Sequence, residues 1–249
     1  CRASLGAATV CVDGGCQRAP TDGRCRRSEP VDLLAALAAG EVGDRVVFGA
    51  IFEDNGGNQS ARLAAVALAV REMNAAGGIL GRPLGVVFCD DAGAADDPTI
   101  VPELVQHLGD ELGVAAIIGP ASTTGVISAL NQALGEGLPV AIVTPSATGI
   151  QLSGQPDRLD PADPLGLLWR TCPSDELQAK VLAGQIVSAL SPAGGSLVIV
   201  HQDDAYGQSF ERELRREVEA QASTITVTAQ KFAVGGDEAP ANFWADRKS

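Results

Sequence analysis

Residues 64–91 read AAVALAVREMNAAGGILGRPLGVVFCDD, and the change of period inside this stretch decides the fold class. From Ser60 to Ala75, the residues Leu63, Val66, Ala67, Val70 and Met73 recur at helix spacing, while Arg62, Arg71 and Glu72 take other faces. Gly77 and Gly78 end that helix, one of them as a left-handed cap. Gly81 and Pro83 then turn the chain into LGVVFC at 84–89, a continuous apolar run of strand length that Asp90 and Asp91 close. Upstream, VVFGAIF at 46–52 is a second such run.

The rhythm continues downstream. Val101, Leu104, Val105 and Leu108 form a helical stripe, Val114–Ile118 a strand, and Gly119-Pro120 a stop. Ser122 or Thr123 can cap a helix bearing Val126, Ile127, Leu130 and Leu134, and VAIVT at 140–144 follows as a strand. Alternating helices and unbroken apolar strands predict an α/β fold with a parallel sheet covered by helices on both faces. Phe52, Asp90, Gly119 and Thr144 should then lie along one edge, where open parallel sheets bind ligands. A turn-rich stretch, 145–166, precedes a short strand at Leu168–Arg170. Asp175 and Gln178 offer a cap for a helix carrying Leu177, Val181, Leu182, Ile186 and Leu190. A strand at 197–200, a charged helix with Phe210, Leu214 and Val218 on one face, and a strand at 224–230 complete the pattern.

Composition narrows the function. The 249 residues are 45% hydrophobic and 20% charged, enough for a real core. With 31 acidic and 18 basic side chains the net charge is −13, which disfavours nucleic acid and anionic membranes as partners. No apolar run is long enough to span a bilayer. Residues 1–30 form a cysteine-rich segment and 31–43 a linker or short helix ending at Gly40. Cys1, Cys11, Cys16 and Cys25 crowd into a segment without a core, where two local disulfides supply order. A zinc knuckle, loose thiols and a lipid-bearing Cys1 are the rival readings. Arg24, Arg26 and Arg27 read as an irregular solvated surface. The few turn-rich residues after Gln230 cannot complete a second lobe, so the natural chain is expected to continue past Ser249 or to be completed by another chain.

Catalytic signatures are missing. The sequence has no GxSxG elbow, no phosphate-binding GxxxxGK[ST] loop and no HExxH pair, and Gly77, Gly78 and Gly81 follow a helix where a dinucleotide fingerprint would precede one. His107 reads as solvated on the polar side of its helix, and His201 as a strand-end residue. Asp90-Asp91 and Asp203-Asp204 read as turn or cap residues. No catalytic residue, metal ligand or cofactor is expected.

Five stretches taken in order resemble a known family. They are the helix and turn at 64–85, AAIIGPAST at 115–123, LPVAIVTPSAT at 138–148, WRTCPSDELQA at 169–179 and VIVHQDDAYGQSF at 198–210. Together they are similar to type I periplasmic solute-binding proteins of the branched-chain amino-acid class, the extracellular ligand-binding receptor family. The resemblance implies two Rossmann-like lobes that close over a ligand, with the second incomplete in this chain. Residues 44–172 would be lobe I without its C-terminal return elements, and 173–249 a partial lobe II. It further implies extracytoplasmic binding of an amino acid or related small carboxylate, delivered to an ABC permease. The location would be periplasmic or at the cell surface, with a lipid anchor as one option. A sensing receptor and an enzyme on the same scaffold are the alternatives. Ser122 and Thr123 begin a helix whose N-terminus favours a carboxylate. By resemblance, they hold the ligand's α-carboxylate, Ser146 offers a backbone carbonyl to its ammonium, Thr148 offers a hydroxyl, and Tyr206 faces the cleft from lobe II. The loop FEDNGGNQS at 52–60 departs from the family pattern, and Glu53, Asp54 and Asn55 there would either line the cleft and favour a ligand with added positive or hydroxyl character or simply face solvent.

Overall fold

The computed structural model describes residues 9–12, 15–18, 22–54, 58–191 and 193–233. Its elements in chain order are strands β1 (Thr9–Val12), β2 (Gly15–Arg18) and β3 (Arg27–Glu29), helix α1 (Leu33–Ala39), β4 (Val46–Ile51), α2 (Asn58–Ala75), β5 (Leu84–Cys89) and α3 (Ile100–Gln106). A π turn (His107–Glu111) follows, then β6 (Ala116–Ile118), α4 (Thr123–Gly135), β7 (Ala141–Thr144), a 3-10 turn (Ile150–Gly154) and β8 (Leu168–Arg170). The chain continues through α5 (Asp175–Leu190), β9 (Gly195–Gln202), α6 (Ala205–Gln221) and β10 (Ile225–Phe232). The chain divides into two compact units: Cys1–Ala147 with Pro156–Thr171, and Thr148–Gln155 with Cys172–Ser249.

The first unit is built on a six-stranded sheet of order β3-β5-β4-β6-β7-β8. β4 to β8 run parallel, and β3 pairs antiparallel to β5 at the edge. Side chains alternate between faces, so β4 and β5 each feed two cores. Val47, Ile51, Val87, Cys89, Ile117 and Ile142 join Leu104, Leu108 and Leu130 on one face. Ala50, Phe52, Val86 and Phe88 join Leu63 and Val70 of α2 on the other. Burial on both faces is why these strands read as unbroken apolar runs.

Asn74, near the end of α2, ties that helix to the sheet. Its side-chain amide donates to the Leu84 carbonyl at 3.0 Å and its side-chain oxygen accepts from the Leu84 N–H at 2.7 Å. β3 ends opposite Val86, and Asn74 does for Leu84 what a neighbouring strand would do. Gly77 and Gly78, with φ of 97° and 79°, then end the helix as the sequence suggests.

Several expectations need correction. Cys25 is bonded to Cys89, 64 residues away, and not to a neighbour in its own segment. β3 lies alongside β5 and brings the two cysteines together. The bonding of Cys1, Cys11 and Cys16 lies outside the described residues. Arg24 and Arg27 are not an idle solvated run: Arg24 donates to the Asp90 and Ala92 carbonyls at 3.2 and 2.9 Å, and Arg27 pairs with Asp54 at 3.0 Å. His107 is only 6% exposed, with Nδ1 2.6 Å from the Glu111 carboxylate. It opens the π turn, which takes more residues per turn than an α-helix and departs from the regular helical wheel the sequence implies.

The second unit pairs β9 and β10 in parallel and packs Ala179 and Ala183 of α5 with Leu214 and Val218 of α6. The apolar stripe foreseen on α5 is largely outward, with Leu177 64% and Val181 57% exposed. Small alanines allow close helix packing, and that contact outweighs the hydrophobicity of the longer side chains. The N-cap of α5 is Ser174, which accepts from the Glu176 N–H, and not Asp175.

Candidate functional site

Parallel pairing brings the C-terminal ends of β4, β5, β6 and β7 to one rim of the first unit. The rim is stitched by the main chain: the Phe52 N–H donates to Cys89 O at 3.1 Å, and the Gly119 N–H to Val143 O at 2.8 Å. Gly119 has φ of 99°, and a Cβ there would run into the Ile51 carbonyl. Only glycine lets β6 leave the sheet this close to β4. The Thr144 hydroxyl donates to Pro120 O at 2.9 Å and accepts from the Ala147 N–H at 3.1 Å, while the Ser146 hydroxyl donates to Ala121 O at 3.1 Å. These bonds join the loop after β6 to the loop after β7.

At this corner α4 begins. Ser122 is its N-cap, with an extended backbone and a hydroxyl that accepts from the Gly125 N–H at 3.0 Å. Of the two capping candidates the structure uses Ser122, which is exposed, while the Thr123 side chain is buried. A capping hydroxyl that accepts from its own helix still carries a hydrogen to donate outward. The helix N-terminus adds partial positive charge at the same point. Ser122, Thr123 and Ser146 are thus brought together.

The other end of the rim is acidic. The Asp54 N–H donates to the Asp90 carboxylate at 3.0 Å, and the Asp90 N–H to Arg24 O at 3.0 Å. Burial pushes the Asp91 carboxyl up to about 6, with the negative charges of Glu53 and Asp90 adding to the effect and Arg24 opposing it. Glu53 is half-buried beside this group, and Asn55 lies outside the described residues. Because the folded pKa is raised from 3.8, the protonated form favours folding, and that contribution is lost as pH rises through about 6. Asp91→Asn is therefore expected to stabilise the first unit by about 1–2 kcal/mol at pH 7.5 and to change little near pH 4. Urea unfolding at the two pH values checks this, and equal effects at both would refute it.

Thr148 and Tyr206 belong to the second unit. The Thr148 hydroxyl donates to the Asp175 carboxylate at 2.8 Å, and the Asp175 N–H donates back to the Thr148 carbonyl at 3.0 Å. Asp175 is 3% exposed. Tyr206 is partly exposed at the start of α6 and stacks on Phe210 with ring centroids 6.2 Å apart. Burial, then the charges of Asp175 and Asp204, push its phenol above the ordinary range. Asp204 caps α6 by accepting from the Gly207 N–H at 2.7 Å. His201 Nδ1 is 2.8 Å from the Gln202 carbonyl. Among the described residues no three His, Cys, Asp or Glu side chains are grouped to hold a metal, and no helix is long and apolar enough to cross a membrane. Arg24 and Asp175 escape sequence reading, since neither has a local signal for its distant partner.

The sequence and the fold have counterparts among known proteins. The periplasmic binding protein family matches residues 47–247. The chain belongs to that family. Among relatives of this periplasmic binding protein, Leu/Ile/Val-binding protein homolog 3 of Brucella melitensis is 34% identical over 142 residues, covering 57% of this chain and 34% of that protein. The chemotactic signal transduction system substrate-binding protein BasB of Halobacterium salinarum is 29% identical over 148 residues, covering 59% and 33%. The solved branched-chain amino acid transporter substrate binding protein LivJ of Streptococcus pneumoniae, in complex with isoleucine, superposes with a TM-score of 0.63 at 22% identity, over 82% of this chain and 54% of that one. The fold is therefore the type I periplasmic-binding-protein α/β fold. The chain spans 34% and 33% of the two curated relatives and 54% of the solved structure.

Proposed function

We propose that this periplasmic binding protein binds a small amino acid or related carboxylate outside the cytoplasm and serves its import through an ABC permease. The carrying observation is the exposed Ser122 hydroxyl at the N-terminus of α4, opening on the carboxyl rim of a parallel sheet. In this reading Ser122 donates its hydroxyl hydrogen to the carboxylate, and the backbone N–H groups of the first turn add to it. Thr123 takes part through its main chain, since its side chain is buried. The Ser146 hydroxyl holds the loop in place, and its carbonyl is offered to the ligand's ammonium. Glu53 and Asn55 bias the site toward cationic or hydroxyl groups. In the second unit Thr148 and Tyr206 are the proposed contacts. The names of the Brucella relative and of the isoleucine-bound structure support the amino-acid class.

Calorimetric titration with L-leucine, L-isoleucine and L-valine tests the reading. Ser122→Ala is expected to weaken the bound amino acid about tenfold, the loss of one hydrogen bond to a charged group. The lost cap should also lower stability by about 1 kcal/mol, read separately by thermal unfolding. Unchanged affinity in a folded variant would remove Ser122 from the site.

A second reading, ligand sensing for a signalling partner, is favoured by the likeness to BasB. A permease and ATPase encoded beside this chain would support import, and a fused or adjacent signalling module would support sensing.

A further inference from the structure

The segment Asp22–Glu29 lies before residue 47, where the family match begins, yet it is bonded into the rim. Its last three residues are β3, which pairs with β5 over three residues only. So short a ladder at a sheet edge opens easily unless other bonds hold it. The Cys25–Cys89 disulfide fastens it to the end of β5. Arg27 pairs with Asp54 at 3.0 Å, and Glu29 with Arg71 of α2 at 2.9 Å. The segment is thus a strap along β5.

Arg24 carries the strap into the rim. Its Nη1 donates to the Asp90 and Ala92 carbonyls at 3.2 and 2.9 Å, and its own carbonyl accepts from the Asp90 N–H at 3.0 Å. Asp90 passes the constraint on. Its carboxylate accepts from the Ala92 N–H and from the Asp54 N–H, both at 3.0 Å. Arg24 therefore pins the loop after β5, and that loop pins the one after β4. A cavity of about 620 Å³ is lined by both parts, with Arg24 and Arg26 from the strap and Phe52, Asp54 and Asp90 from the rim. In the sheet order β5-β4-β6, the two pinned loops stand beside the strand that leads to Ser122.

We infer that Arg24 is a positioning residue for ligand binding: anchored by the Cys25–Cys89 disulfide, it sets the loops after β5 and β4 that flank a ligand seated at Ser122. This rests on the amino-acid-binding reading above and adds to the site a segment outside the family match.

The test uses L-leucine as the probe, with calorimetry, amide hydrogen exchange and amide resonances of the whole protein. In wild type, saturation with leucine should shift the amides of Asp54 and Ala92. Arg24→Ala is expected to weaken leucine about fivefold, the size of effect carried through a contact network. The Asp54, Asp90 and Ala92 amides should exchange about tenfold faster in that variant, as each loses a bond or its support, while amides in the middle of α4 keep their wild-type rates. Both side-chain bonds of Arg24 leave from one nitrogen, so the ammonium of Arg24→Lys can replace it and should keep leucine affinity within about twofold of wild type. Cys25→Ser/Cys89→Ser should loosen the same three amides and weaken leucine, and adding Arg24→Ala to it should cost little more, because both release one strap. If the serine pair does not fold, Arg24→Ala and Arg24→Lys decide. Asp54 and Ala92 amides that ignore bound leucine, an Arg24→Ala variant that loosens them yet binds leucine as wild type does, or faster exchange that extends to α4 would overturn the inference while the amino-acid reading stands. Wild-type protein that binds no leucine sinks that reading and this inference with it.

Discussion

Gly119→Ala is expected to destabilise the first unit by about 3 kcal/mol or more, the sum of overpacking and a left-handed backbone forced on an L-residue. Gly119 stands where β6 ends, with φ of 99° and the Ile51 carbonyl and Phe52 ring where a Cβ would lie. The backbone cannot move away, because the Gly119 N–H is bonded to Val143 and the following loop is held by Thr144 and Ser146. A methyl group must therefore push β4 and β6 apart at the rim itself. Gly135→Ala is the control: it closes α4, and nothing lies within 4 Å of its Cβ position. That change should be neutral or slightly stabilising. Urea unfolding, with hydrogen exchange of β4 and β6 amides to localise the effect, checks the pair. Similar stability for the two variants would contradict the rim geometry.

Asn74→Ala is expected to cost about 2–4 kcal/mol. The substitution leaves both the N–H and the carbonyl of Leu84, a residue in the core, without their side-chain partners. An orphaned buried group costs about 1–3 kcal/mol, and water at the sheet edge recovers part of that. Asn74→Asp separates the two bonds, since a carboxylate can still accept from the Leu84 N–H but faces the Leu84 carbonyl with like charge. Its loss should fall at least as hard as that of Ala at pH 7 and ease in acid, as the side chain regains a donor. A cost below about 0.5 kcal/mol for Asn74→Ala would show that the clamp is dispensable.

Much of this architecture is legible in the sequence because two periods alternate cleanly. Runs such as VVFGAIF and LGVVFC are apolar at every position because the sheet is buried on both faces, and the glycine pairs mark where helices stop. The rim followed from parallel pairing, which sends Phe52, Asp90, Gly119 and Thr144 to one edge. Contacts between distant residues were not legible. Nothing near Cys25 points to Cys89, and nothing near Arg24 points to the carbonyls of Asp90 and Ala92. The π turn departs from the regular helix on which the sequence places His107. On α5 the size of Leu177 and Val181 misled, because Ala179 and Ala183 make the closer contact with α6. At the candidate site, the capping role of Ser122 could be foreseen from GPAST, whereas the engagement of Thr148 by Asp175 could not.

The most direct test of carboxylate capture at the start of α4 is to follow backbone amide resonances of the isotope-labelled protein during titration with L-leucine. The amides of residues 122–125 should shift saturably, with a midpoint equal to the calorimetric Kd and with a smaller response in Ser122→Ala. Saturation that leaves those amides unmoved, or that centres on the groove lined by Glu103, Gln132 and Glu136, would contradict it.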